Sequence, residues 1–109
     1  MSIETTAGVE IDSTLLSNYL RNLVNRFFKI LPIREKGDDS LPIYLRSLQM
    51  ELLGCKSLIS DFENDASFIT LLSILQYLID EPDCSVTTVR REVFHAISIC
   101  NKLKATYVK

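Results

Sequence analysis

Tryptophan is absent from this chain of 109 residues, and glycine and proline occur only three times each. Because glycine and proline interrupt helices, their scarcity favours a helical fold. Ligands for metals are also few: there is one histidine, and the three cysteines, Cys55, Cys84 and Cys100, form no CxxC pair. That set is too small for a four-ligand zinc site and too sparse for a disulfide scaffold. We therefore expect neither a metal nor another cofactor.

The sequence also lacks an apolar run long enough to cross a bilayer, which takes about 20 residues. The most apolar stretch, residues 68–79, is interrupted at every third position by Thr70, Ser73 and Gln76. This pattern predicts a central helix that other helices surround except along one polar strip. The start of the chain lacks the basic residues and apolar run of a secretory signal. We expect a cytoplasmic protein without a membrane partner, from a bacterium, a phage or a mobile element.

What is present is helical periodicity. Residues 1–11 show no period and are expected to form a flexible arm, whereas residues 12–109 are expected to form a single helical domain. Helices are predicted from residue 12 or 13 to Pro32, from 41 to 62, from 66 to 79 after an Asp65 cap, and from 86 after a Ser85 cap. Residues 32–40 are expected to be a loop. Because the loops are short, the prediction is an all-α, four-helix up-and-down bundle.

Each helix has an apolar stripe that should face the core. The first and last helices carry theirs at Leu16, Leu20, Leu23, Phe27 and Ile30, and at Val86, Val89, Val93, Ile97, Cys100 and Leu103. The second helix has an apolar seam at Leu41, Leu45, Leu48, Leu52, Cys55, Ile59 and Phe62 and, nearly opposite it, a second set formed by Ile43, Met50 and Leu53 next to Gly54. Exposed apolar stripes of this kind mark contact surfaces. The alternative is that two helices of the same chain enclose the second helix.

Charge is divided unevenly along the chain although the net charge is only −2. Residues 12–36 hold five basic and two acidic residues, residues 86–109 hold five and one, and residues 37–65 hold two and six. One interpretation is ordinary solvated surface. The other is a basic face, shared by the first and last helices, that contacts phosphate or an acidic protein. Its candidate residues are Arg21, Arg26, Lys29, Arg90, Arg91 and Lys102.

One constellation could carry chemistry. Arg91, His95 and Lys102 fall on one side of the last helix, opposite its apolar stripe, so His95 is predicted to be exposed. A histidine beside arginines is able to act as an acid or base on a phosphodiester. Residues 90–95, with Arg90 and His95 at their ends, resemble the Arg-x4-His motif of HEPN-fold ribonucleases, small helical proteins that pair so that two motifs face one cleft. The resemblance implies that Arg90 and His95 would be the catalytic pair.

These patterns lead to one functional prediction and two alternatives. We predict a small non-enzymatic interaction or assembly module that forms a homo-oligomer or docks on a larger protein through Ile43, Met50, Leu53 and Gly54. The first alternative is the HEPN-like ribonuclease. The competing interpretation of His95 is a surface histidine without a chemical role. The second alternative is a regulator that binds nucleic acid through the basic faces of the first and last helices.

Overall fold

A computed structural model gives the fold and describes residues 2–4, 10–37, 39–58 and 65–107. Within these ranges, two short strands precede five helices. The elements are β1 (Ser2–Glu4), β2 (Glu10–Asp12), α1 (Ser13–Phe28), α2 (Ile30–Glu35), α3 (Leu41–Leu58), α4 (Ala66–Asp80) and α5 (Val86–Tyr107). The four long helices and the short α2 form a helical bundle. The predicted all-α fold is therefore confirmed.

The helices follow one another around the bundle in a simple order. α5 packs against both α1 and α4, and α3 packs against α4. The short α2 contacts α1, α3 and α5 at one end of the bundle. A hydrogen bond of 2.8 Å from the Tyr44 hydroxyl of α3 to the Arg26 carbonyl of α1 joins the remaining two helices. The bundle thus contains two extensively packed helix pairs, α1 with α5 and α3 with α4.

The core consists of the side chains that helical periodicity predicted. The buried set on α1, α2 and α3 is Leu16, Leu20, Leu23, Phe27, Ile30, Leu45, Leu48 and Leu52. On α5, Val89, Val93, Ile97, Cys100 and Leu103 are buried, and Val86 is half-buried. Ala96 and Ile99 are buried as well. They widen the buried face of α5 because that helix packs against α1 on one side and α4 on the other.

Two predicted helix caps are present. An oxygen of the Asp65 carboxylate accepts a hydrogen bond of 3.0 Å from the Phe68 amide at the start of α4. At the start of α5, the Ser85 hydroxyl accepts one of 3.1 Å from the Thr88 amide. Each cap satisfies an amide that lacks an intrahelical acceptor, which fixes where the helix begins.

The loop predicted for residues 32–40 is partly wrong, because α2 occupies its first part. Pro32 is the third residue of α2, where its missing amide N–H forfeits no intrahelical bond. Lys29 separates α1 from α2, and its amide donates a hydrogen bond of 3.2 Å to the Asn25 carbonyl. The turn that follows contains Gly37 with φ of +66°, a conformation that favours glycine. The end of the second predicted helix, residues 59–62, lies outside the described residues.

The prediction that residues 68–79 form a central helix is wrong in one respect. Among the described elements, α4 makes its extensive contacts with α3 and α5, and it exposes Ile69 and Tyr77 beside Ser73 and Gln76. α5 has more helical neighbours than α4, although its sequence is less apolar. α4 nevertheless buries the side that faces α3 and α5. The buried residues on that side include Phe68, Leu71, Leu75 and Leu78.

Residues 1–11 were expected to lack regular structure, yet β1 and β2 lie mostly within that range. They pair antiparallel, with Ile3 opposite Ile11. In each strand one isoleucine stands between two polar residues, which is the alternation of a strand. Three residues are too few for that alternation to be distinguished from chance in the sequence.

Candidate interaction surfaces

The stripe on α3 is exposed. Ile43 and Met50 keep 70% and 72% of their surface accessible, and Leu53 keeps 47%. These values exclude the alternative in which two helices of the same chain enclose α3. Ile43, Ser47, Met50 and Gly54 recur at intervals of four, three and four residues, so they lie along one line of the helix. We call these four residues the α3 stripe, and Leu53 lies at its edge.

Gly54 leaves a gap in the surface of α3. A Cβ atom built at this position meets no atom within 4 Å, so nothing within the chain requires glycine there. A glycine in a helix interior costs about 1 kcal/mol relative to alanine. The glycine therefore destabilises the monomer, and no described contact of the monomer offsets this loss of stability.

The basic residues of α1 and α5 lie on neighbouring antiparallel helices. Tyr19 lies beside Cys100, the rings of Phe28 and Phe94 are in contact, and Glu35 pairs with Arg90. Residue numbers rise along α1 and α2 as they fall along α5, which defines the antiparallel register. The two basic segments of the sequence therefore meet on one side of the bundle.

Two of the predicted basic residues form ion pairs with acidic residues of other helices, and the others are exposed to solvent. Arg26 forms an ion pair with Glu51 of α3, and Arg90 forms one with Glu35 over 3.2 Å. Arg21, Lys29 and Lys102 are exposed and have no ion pair among the residues that the structure describes. Arg91 is exposed, and its ion pair among the described residues is with the neighbouring Glu92, at 3.4 Å.

Two aromatic residues that sequence analysis did not single out lie between these cations. The rings of Phe28 and Phe94 meet edge to face, with centroids 5.9 Å apart and planes at 81°. They remain 42% and 48% exposed. Phe28 lies outside the apolar stripe predicted for α1, and no sequence pattern indicates that Phe94 lies opposite it. The pairing depends on the register of α1 against α5.

Arg90 and His95 are directed differently on α5. Five helical positions amount to a rotation of about 140°, so the two side chains leave opposite flanks of the helix. The Arg90 guanidinium faces Glu35 of α2, whereas His95 is exposed, as predicted. Among the described residues no hydrogen bond or ion pair joins the two. A shared cleft would have to be built by a second chain.

A pocket of about 320 Å³ opens at the end of the bundle where α2, α3 and the α4–α5 turn meet. Its floor is apolar, with Ile30, Leu45 and Val89 in the lining. Arg34 also lines it, and its guanidinium donates a hydrogen bond of 2.8 Å to the Cys84 carbonyl. None of the site residues predicted from the sequence lines this pocket.

A buried polar cluster joins α1, α3 and α5. The Tyr19 hydroxyl is buried beside Cys55 and Cys100, without a well-formed hydrogen bond in the described part of the chain. Burial raises the pKa of Tyr19, and the neighbouring Cys55 raises it further. Burial also raises the pKa of the Cys55 thiol, and that of Cys100 to about 12. The two thiols are thus held protonated, which makes them poor nucleophiles.

Two further classes of site are absent from the residues that the structure describes. No group of three or more His, Cys, Asp or Glu side chains there is arranged to hold a metal ion. No helix in the same ranges combines the length and apolar character that a membrane span requires.

Comparison of the chain with protein-family models, with curated proteins and with solved structures gave no match. The surfaces described above are therefore the basis for inferring what the protein does.

Proposed function

We propose that this protein is a non-enzymatic assembly module that self-associates, with α3 of one copy packed against α3 of a second copy. The observation that carries the proposal is the exposure of Ile43 and Met50, whose side chains lie on a face of α3 that no described helix covers. Large apolar side chains exposed in a line along one helix are typical of a helix that packs against a partner.

The order of residues in the α3 stripe supports a second copy as the partner. Consider two α3 helices that meet antiparallel, with a two-fold axis passing between residues 48 and 49. Ile43 of one copy then lies opposite Gly54 of the other, and Met50 lies opposite Ser47. Each large side chain meets a small one, and the same pairs recur on both sides of the axis. This self-complementarity is what a two-fold interface requires.

The expected strength of the dimer is modest. Fully burying an Ile, Leu or Met side chain contributes about 1.5–3 kcal/mol, and these side chains are already partly covered in the monomer. Six of them, three per copy, would contribute on the order of 10 kcal/mol, against an association cost of about 4–15 kcal/mol. At the lowest of these costs the net gain is about 6 kcal/mol, so we expect a dissociation constant on the order of tens of micromolar or weaker.

The test is the concentration dependence of the solution mass, measured by light scattering and sedimentation. We expect the wild type to change from monomer to dimer with rising concentration and the Met50→Glu variant to stay monomeric while remaining folded. Leu15→Glu is the matched control, because Leu15 is an exposed leucine of α1 outside the stripe. It should dimerise as the wild type does.

Two results would contradict the proposal. One is a wild type that stays monomeric up to millimolar concentration; the surface would then belong to a foreign partner or to none. The other is equal dimerisation of the wild type and Met50→Glu, which would place the interface elsewhere.

The proposed location is the cytoplasm, and the three free thiols support it because disulfides are rare in that reducing compartment.

A further inference from the structure

We propose that the groove between α1 and α5 binds single-stranded nucleic acid. Its candidate contacts are the aromatic–basic face, defined by Arg21, Asn25 and Phe28 on α1 and by Arg91, Phe94 and Asn101 on α5. This proposal does not rest on self-association, because α3 contributes nothing to the face.

Helical spacing and interhelical register place these residues together. Arg21, Asn25 and Phe28 are separated by four and three residues, so they share one side of α1. Arg91, Phe94 and Asn101 are separated by three and seven, so they share one side of α5. The contact between Phe28 and Phe94 brings the two sides together, and the antiparallel register sets Arg21 level with Asn101. All six side chains are exposed.

The charge of the face fits an anionic partner. α1 contains no acidic residue, and α5 contains only Glu92. Glu92 is two positions from Phe94, a rotation of about 160° away from the ring, and its side chain is mostly covered. Glu35, the nearest acid of α2, already pairs with Arg90. A phosphate backbone passing over this groove would therefore meet cations and amides, without facing an unpaired carboxylate of α1, α2 or α5.

The two exposed phenyl rings favour a nucleic acid over an acidic protein segment, and a single strand over a duplex. Single-stranded nucleic acids bind where bases stack on aromatic side chains and phosphates lie beside Lys or Arg. The bases of a duplex are already stacked, so rings at this surface would gain nothing from them. The face extends about 15 Å from Arg91 to Asn101, at 1.5 Å per residue, which is enough for a few nucleotides.

The experiment measures fluorescence anisotropy of labelled oligothymidylate and oligouridylate of roughly twelve nucleotides, within the range of known single-strand sites. We expect both to bind, a duplex of the same length to bind more weakly, and affinity to fall as salt rises. Phe94→Ala should weaken binding about ten-fold or more, through loss of stacking. Arg91→Gln should weaken it and lower the salt slope by about 0.7, the value for one phosphate contact.

Matched controls separate a local effect from unfolding. Tyr77→Ala removes an exposed aromatic ring of α4, and Arg46→Gln removes an exposed arginine of α3, both outside the face. Neither should change binding, and circular dichroism should show that all four variants stay folded.

Three outcomes would overturn the proposal. No binding of either oligonucleotide at low salt would exclude it. Binding that Phe94→Ala and Arg91→Gln leave unchanged would assign the affinity to another surface. Equal or tighter binding of polyglutamate, with the same sensitivity to Phe94→Ala, would identify an acidic protein as the partner. Because Met50→Glu lies on α3, it should leave oligonucleotide binding by the monomer intact, so failure of one proposal is distinguishable from failure of the other.

Discussion

The Tyr44 hydroxyl donates its hydrogen bond to the carbonyl oxygen of Arg26, a backbone group in the last turn of α1. Carbonyls in that turn lose their intrahelical partners, so the bond both joins α3 to α1 and satisfies a helix end. We expect Tyr44→Phe to lower the free energy of unfolding by about 1 kcal/mol, the usual value for one such bond. Urea denaturation measures this directly. An unchanged midpoint would show that water replaces the hydroxyl.

Tyr19 provides the opposite case. Its hydroxyl is buried without a well-formed hydrogen bond among the described residues, which costs about 1–3 kcal/mol. We expect Tyr19→Phe to raise the free energy of unfolding by about 1 kcal/mol, since the phenyl ring fills the same space without the polar atom. The same chemical change at Tyr44 is its control. If Tyr19→Phe destabilises the protein, the hydroxyl has a real partner, and the Cys55 thiol is the nearest candidate.

Gly54 separates the stability of the monomer from that of the proposed dimer. Because a Cβ meets nothing within 4 Å, Gly54→Ala should raise the free energy of unfolding of the dilute protein by about 1 kcal/mol. Gly54→Leu should also leave the monomer folded but should abolish dimerisation, because its side chain would occupy the space of Ile43 from the second copy. Thermal denaturation at low concentration and light scattering at high concentration measure the two effects. A Gly54→Leu protein that dimerises normally would exclude the antiparallel arrangement.

The buried Cys100 thiol should make the fold sensitive to alkaline pH. Its pKa is raised from 9.0 to about 12, so above pH 9 the unfolded chain loses a proton that the native protein keeps. The unfolded state then binds fewer protons, and stability falls as pH rises. For this single group, the loss approaches about 1.4 kcal/mol per pH unit between the two pKa values. Buried Tyr19 acts in the same direction above its ordinary pKa.

Urea denaturation at about pH 8 and about pH 10 tests this dependence, because the two conditions span the pKa of the unfolded thiol. Cys100→Ala should lower stability at both pH values through the lost packing, but the decline between them should become shallower. Leu103→Ala is the control, since it removes buried packing from α5 without removing a titratable group, and it should keep the wild-type decline. An identical decline in Cys100→Ala and wild type would show that other groups cause it.

The helices and their buried faces were predictable because each depends on local spacing. Leu16, Leu20 and Leu23 recur at intervals of four and three, and their burial requires only that α1 have one neighbour. The caps at Asp65 and Ser85 were equally local. The same rule put Ile43 and Met50 opposite a leucine seam, but it left open whether other helices of the chain cover them. Whether a partner covers them depends on a second molecule, which no spacing within one chain encodes.

What could not be predicted depends on how distant elements meet. Phe28 and Phe94 become one surface only through the register of α1 against α5, and that register is set by packing of the whole core. Pro32 was misread because proline both stops a helix and starts one, and the sequence does not say which. The prediction that α4 lies at the centre depended on its apolar composition. A strongly apolar helix can also lie at the edge of a bundle, as α4 does.

The position of α5 in the bundle has a consequence for how the chain reaches its native state. α5 supplies the surfaces on which α1, α2 and α4 pack, yet it is the last of these helices in sequence. During synthesis, α1 and α2 emerge long before their main packing surface exists, and their apolar stripes stay open until residues 86–107 follow. Pairing of α1 with α5 also closes a loop spanning most of the domain, which slows folding relative to bundles of sequential neighbours. A nascent chain lacking α5 is therefore the species that most needs protection from aggregation.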